Sequence, residues 1–186
     1  MNRREAVQSL SLLFGGSIIG GSAFLSGCKT STGNDMVFSQ EDIAYLNEIA
    51  ETILPATNTP GAKAANVGQF MTVMVNDTYT PADQKIFHEG MKKLNDEADK
   101  AHSSDFMKLD AAKRSELLIK LDQEQKTYAK SKKKEDPNHY FTMMKQLTLL
   151  GYFTSEIGSK QARRYIETPG RYDGCVPYTK GEKAWA

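Results

Sequence analysis

Cysteine is nearly missing from this chain: only Cys28 and Cys175 occur. That excludes a disulfide scaffold and any Cys-x-x-Cys zinc motif or Cys-x-x-Cys-His haem attachment. Histidine is scarce too. His88, His102 and His139 stand far apart, at no metal-ligand spacing, and each reads as a surface or satisfied core residue. No Gly-x-Gly-x-x-Gly follows a strand pattern, so a self-contained nicotinamide or flavin fold has no sign. Neither charge dominates. The chain has 24 Lys and Arg against 23 Asp and Glu, and without a clustered basic excess nothing points to nucleic acid. Strand-like alternation and internal repeats are absent. What remains is a helical chain with no redox or metal centre of its own.

One uncharged, mostly apolar run exists, residues 10–25. It is short for a bilayer span, which takes about 20 apolar residues. Arg3 and Arg4 precede it, and Leu25-Ser26-Gly27-Cys28 ends it. A basic start, an apolar run and small residues before a cut site make a bacterial export signal. The four residues resemble a lipobox, in which Cys28 is lipidated and the chain is cut before it. The domain expectation is a signal peptide over 1–27, a polar, flexible tether over 28–37 and one domain over 38–186. Arg3-Arg4 is compatible with twin-arginine export and equally with the general route, since Glu5, Ala6 and Val7 replace the usual apolar residues. The expected site is the bacterial cell envelope, lipid-anchored on the periplasmic side of the inner or outer membrane. With Cys28 lipidated, Cys175 is left odd: a bridge to another chain, or a buried thiol.

The body reads as all-α, five or six helices and an irregular aromatic tail. Ser39 and Asp42 predict a capped first helix, with Phe38 stapling onto Ile43 and Pro55 ending it. The two-proline segment at 54–62 reads as a packed connector rather than a lid. A second helix is expected over about 66–77. Thr80, Pro81 and Asp83 open a third, whose buried stripe is Ile86, Phe87, Gly90, Met91, Leu94 and Ala98. A loop over about 101–109 leads to Asp110, which caps a fourth with Leu117, Leu118 and Leu121 inward. Its lysine-rich end, 126–134, is a solvated helix end or a patch for acidic lipid or partner. Asp136-Pro137 is expected to start a fifth helix with Tyr140, Met143, Met144, Leu147 and Leu150 as its apolar face. Gly151 either breaks or bends it before about Ile157. A short sixth helix is expected over 160–165. Glu156 reads as half-buried, a cap or a partner of Arg163 or Arg164. Met71, Met74, Met143 and Met144 read as core filler. The breaker-rich tail carries Tyr172, Val176, Tyr178 and Trp185, rings that gain by burial against the helices or another protein.

The segment Ile53-Leu54-Pro55-Ala56-Thr57-Asn58-Thr59-Pro60-Gly61-Ala62 and the run from Gly151 through Gly158 to Pro169-Gly170-Arg171-Tyr172-Asp173-Gly174-Cys175 resemble the gluconate 2-dehydrogenase subunit 3 family. Asn58 stands where Asp is commoner, and either residue closes the turn. The resemblance implies a non-catalytic small subunit without catalytic, cofactor-binding or metal residues. Its partner would be a large FAD-bearing dehydrogenase subunit of the glucose-methanol-choline type, acting on a sugar or sugar acid, with a cytochrome c as electron acceptor. The small subunit would serve export, folding or membrane tethering. On that reading Tyr172, Tyr178 and Trp185 face the partner and Cys175 forms an intersubunit disulfide. The alternative is a stand-alone sugar-binding lipoprotein or sugar-processing enzyme, with a cleft lined by residues 57–59 and Arg171, Tyr172 and Asp173.

Overall fold

A computed structural model describes residues 37–168, 170–172 and 174–185. Arg3, Arg4, Cys28 and Asp173 lie outside the described residues. The fold is all-α, and the described residues form five α-helices: α1 (Gln40–Ile53), α2 (Val67–Thr78), α3 (Pro81–His102), α4 (Ala111–Ser131) and α5 (Tyr140–Thr154). A 3-10 turn, Phe106–Lys108, joins α3 to α4, and a π-helical turn, Gly158–Ala162, follows α5. Among the described residues there is no strand, only an isolated bridge between Arg164 and Trp185. No described helix is long and apolar enough to cross a membrane.

The helix starts follow from local chemistry. Ser39 and Asp42 form a reciprocal capping box, with Asp42 N–H donating to Ser39 Oγ at 3.1 Å and Ser39 N–H to Asp42 Oδ2 at 2.9 Å. Thr80 accepts from Asp83 N–H at 3.2 Å and Pro81 takes the first helical position. Asp110 accepts from Lys113 N–H at 2.9 Å. Each satisfies a backbone donor that the helix leaves unpaired. Phe38 reaches across to α3, where its ring stacks on His88 at 4.2 Å and meets Phe87 edge-on.

The fifth helix departs from expectation at both ends. Asp136 does not cap it. Its carboxylate accepts Lys133 N–H at 2.7 Å, and Tyr128 Oη donates to the Pro137 carbonyl at 2.9 Å, so residues 132–139 are held as a turn against α4. Tyr140 starts the helix, and His139 Nδ1 caps it by accepting Phe141 N–H at 3.2 Å. The helix continues through Gly151 to Thr154. Gly151 is there for packing: a Cβ would sit 2.6 Å from the Phe70 ring of α2. Leu150, expected inward, is 46% exposed, whereas Phe141, Thr148 and Tyr152 are buried. α5 is wrapped by other helices over most of its circumference, so its apolar residues do not form a single stripe. Beyond it stands the π-helical turn rather than an α-helix over 160–165.

The core takes residues from every element, including Leu46 and Ile49, Met71 and Val75, Phe87 and Leu94, Leu121, and Met144 and Leu147. Phe106, in a segment read as loop, is fully buried. Met71, Met143 and Met144 are buried and Met74 packs against the core from its edge, as read.

Asp122 ties α4 to α5 by receiving Lys126 and Lys145. These two ammonium groups hold its carboxyl at about 2. A folded-state value below the ordinary ~3.9 stabilises fully above that value, and the contribution is lost as pH falls from about 4 through about 2. Asp122→Asn is expected to lower stability by about 1 kcal/mol at pH 7. Thermal melts of the two proteins should converge as pH approaches 2. A gap that persists there would assign the loss to shape and not to charge.

Candidate partner interface

The two-proline segment and the aromatic tail both meet the C-terminal end of α5. The two-proline segment is a packed connector. Glu51, in the last turn of α1, accepts N–H bonds from Ala56 at 2.9 Å and Lys63 at 2.8 Å. Ala62 N–H returns to the Leu54 carbonyl at 2.9 Å, and Tyr152 Oη of α5 donates to the Pro60 carbonyl at 2.7 Å. Gly61 and Ala62 are buried while residues 55–58 face water. The segment therefore presents a short, fixed tip on a buried base.

The tail closes into a loop. Arg164 N–H donates to the Ala184 carbonyl at 2.8 Å. The Arg164 guanidinium pairs with Glu182 and lies over the Trp185 ring, 4.2 Å from its centroid. Lys183 donates to the Gln161 carbonyl. Next to this latch, Arg163 donates to the Phe153 carbonyl and sits over the Phe153 ring, fastening the loop's base to the end of α5. The latch holds both legs, and the tip stands in solvent. Tyr172 is 97% exposed and Tyr178 83%.

The site residues expected from sequence thus fall into three groups. Tyr172 and Tyr178 are open rings on the loop. Trp185 is 54% exposed but belongs to the latch, with Arg164 covering one face. Cys175 is an exposed free thiol, which overturns its reading as a buried apolar residue. The loop lies outside the helical core, so no core surface covers it. Glu156 is also exposed and pairs with Lys160 at 2.9 Å, because Arg163 and Arg164 are engaged with Phe153, Glu182 and Trp185. Arg164, Glu182 and Glu51 carry these arrangements; Arg164 was expected only as a partner of Glu156, and Glu182 and Glu51 were not singled out from sequence. Arg164 and Glu182 lie too far apart along the chain for local spacing to reveal them. Glu51 holds its loop by reaching backbone groups, for which no side-chain motif exists.

The described residues of the alternative sugar cleft, 57–59, Arg171 and Tyr172, line none of three surface grooves. One is formed by Thr154, Glu156, Ser159, Lys160 and Tyr165. A second, about 260 Å³, lies between Ile53, Ile119, Asp122 and Lys145. The third is acidic, with Glu41, Asp42, Asp96 and Asp105 beside Tyr45. Among the described residues no group of His, Cys, Asp and Glu could hold a metal ion.

In comparison with known families, the model for gluconate 2-dehydrogenase subunit 3 matches residues 40–170. It opens with α1, takes in all five helices and the two-proline segment, and stops on the first leg of the tail loop. Residues 171–175 therefore lie just past the matched region. Curated proteins and solved structures give no match. With well over half of the sequence matched, from the capped start of α1 to the foot of the latched loop, this chain belongs to the gluconate 2-dehydrogenase subunit 3 family.

Proposed function

We propose that this chain is the non-catalytic accessory subunit of a membrane-associated flavoprotein dehydrogenase. The family match over residues 40–170 carries the reading. The catalytic partner would be a large FAD-bearing subunit of the glucose-methanol-choline type that oxidises a sugar or sugar acid and passes electrons to a cytochrome c. This chain would tether the partner at the periplasmic face of the cell envelope through a lipid on Cys28. Arg3-Arg4 would direct export of the folded pair. Tyr172 and Tyr178 would meet the partner, and Trp185 would hold the loop that presents them. The exposed thiol of Cys175 supports a bridge to a cysteine of the large subunit, since a surface thiol in an oxidising compartment is open to pairing.

The test is purification from native membranes through a C-terminal tag on a linker, with the visible spectrum recorded on the eluate. A large partner in constant ratio, bearing flavin absorbance, is the expected result. A non-reducing gel of the same sample should show one band that splits on reduction. A colourless protein with no partner would end the subunit reading, and an unchanged gel would end the bridge alone.

A further inference from the structure

The lysine-rich end of α4 and the point where the chain enters the fold share one end of the bundle. Phe38 stacks on His88 of α3 at 4.2 Å. Two residues on, the Tyr140 side chain packs directly onto Gly90. Tyr140 stacks on His139 at 4.5 Å, and His139 lies 5.8 Å from the Tyr128 ring in the last turns of α4. His88 and Gly90 are two residues apart, so the entry of the chain and the rings at the base of the lysine segment, Tyr140, His139 and Tyr128, meet α3 at the same level.

That segment carries Lys126, Lys130, Lys132, Lys133 and Lys134 against Glu135 and Asp136. Lys126 is engaged by Asp122 at 2.7 Å. Lys132 donates to Asn138 Oδ1 and the Asp136 carbonyl, neutral partners that fix its position and leave its charge unbalanced. Lys130, Lys133 and Lys134 are exposed, and no described carboxylate lies within ion-pair distance of them. Glu124, one turn earlier, is turned toward His139 at 3.5 Å. The turn that follows α4 is held by Asp136 and by Tyr128, so these ammonium groups project from a fixed platform.

We infer that this end of the bundle, led by Lys130, Lys133 and Lys134, is a docking surface for an anionic phospholipid bilayer. The inference rests on the lipid attachment proposed for Cys28. Cys28 and Val37 are nine residue steps apart, which fully extended span at most about 32 Å. The tether keeps the entry end within that distance of the headgroups, close enough for the lysines beside it to reach them. An ammonium is a compact point charge that suits phosphate without demanding a fixed geometry. A diacylglyceryl group on Cys28 attaches the chain by itself, and a basic patch adds about 1 kcal/mol per lysine at an anionic surface, enough to orient the domain there. Docking by this end would orient the domain, placing the start of α5 at the membrane and the latched loop beyond its far end.

The test uses the full lipidated chain, purified from membranes and reconstituted into phosphatidylcholine vesicles with or without phosphatidylglycerol. A fluorophore goes on Ala129→Cys in a Cys175→Ser background, and energy transfer to a headgroup acceptor reports docking. Flotation reports attachment separately. The expected result is flotation with both vesicles, with transfer high only on the anionic ones and lost in 1 M salt, where the screening length is about 3 Å. Changing Lys130, Lys133 and Lys134 together to Gln should lower the docked-to-undocked ratio on the order of a hundredfold, at roughly fivefold per lysine. Flotation with both vesicles but equal transfer would overturn the patch and leave the anchor standing. Flotation with anionic vesicles alone would overturn the anchor and support the patch. Flotation with neither would overturn both.

Discussion

Arg114→Leu is expected to lower folding stability by about 3 kcal/mol, read as a fall in the urea midpoint at constant slope. Arg114 in α4 ties three elements together. Its guanidinium pairs with Glu48 of α1 and donates to the carbonyls of Phe106 at 3.0 Å and Met107 at 2.7 Å. It also lies over the Phe106 ring, 5.4 Å from the centroid. The two charged side chains are only 14% and 18% exposed. Burial alone would raise the Glu48 carboxyl, yet Lys63 and Arg114 together hold it below the usual carboxylate range. Removing the guanidinium leaves a partly buried carboxylate with one exposed partner and strips two carbonyls of their donor. Desolvated groups without partners are what make such losses large. Lys63→Ala is the contrast. That lysine is well exposed, and its loss should cost no more than about 1 kcal/mol. Equal losses for the two variants would refute the claim that burial sets the difference.

Gly68→Val is expected to cost about 3 kcal/mol, at the upper end for overpacking. Gly68 lies in the first turn of α2, where its N–H donates to Asn47 Oδ1 of α1 at 2.8 Å. A Cβ would stand 2.5 Å from the Ile43 carbonyl oxygen and 2.7 Å from the Asn47 nitrogen. Both obstacles are backbone of a helix and cannot rotate away. The two helices would have to separate, breaking the Asn47 bond and loosening the contacts of Leu46 and Met71 behind it. Gly68→Ala should show a smaller loss in the same direction. A valine variant with an unchanged melt would mean that α1 and α2 slide freely at this contact.

How much of this was legible in the sequence depended on the range of the interaction. The caps at Ser39, Thr80 and Asp110 are local, three-residue patterns, and each is present as read. The apolar stripe of α3 is likewise local, and every member but the half-buried Ile86 is buried. Asp136 failed as a cap because two competing partners, Lys133 and Tyr128, take up its turn, and cap patterns do not register competitors. Leu150 failed because α5 is enclosed by its neighbours, so spacing alone could not tell its covered sides from its open one. The buried Phe106 was hidden in a segment too short to show any period. Of the candidate interface, the rings and Cys175 were visible by composition. The latch was not: Arg164, Glu182 and Trp185 are joined by tertiary contact.

Because the latch fixes both legs, the tail is a closed loop and not a loose end. Closing such a loop becomes costlier only slowly with length, by about 0.6 kcal/mol for each doubling. Residues between the legs can then be added, removed or replaced with little effect on the five helices. The matched family region stops on the first leg. On the proposed reading, in which Tyr172 and Tyr178 meet the partner, the loop can change its choice of partner independently of the fold that carries it.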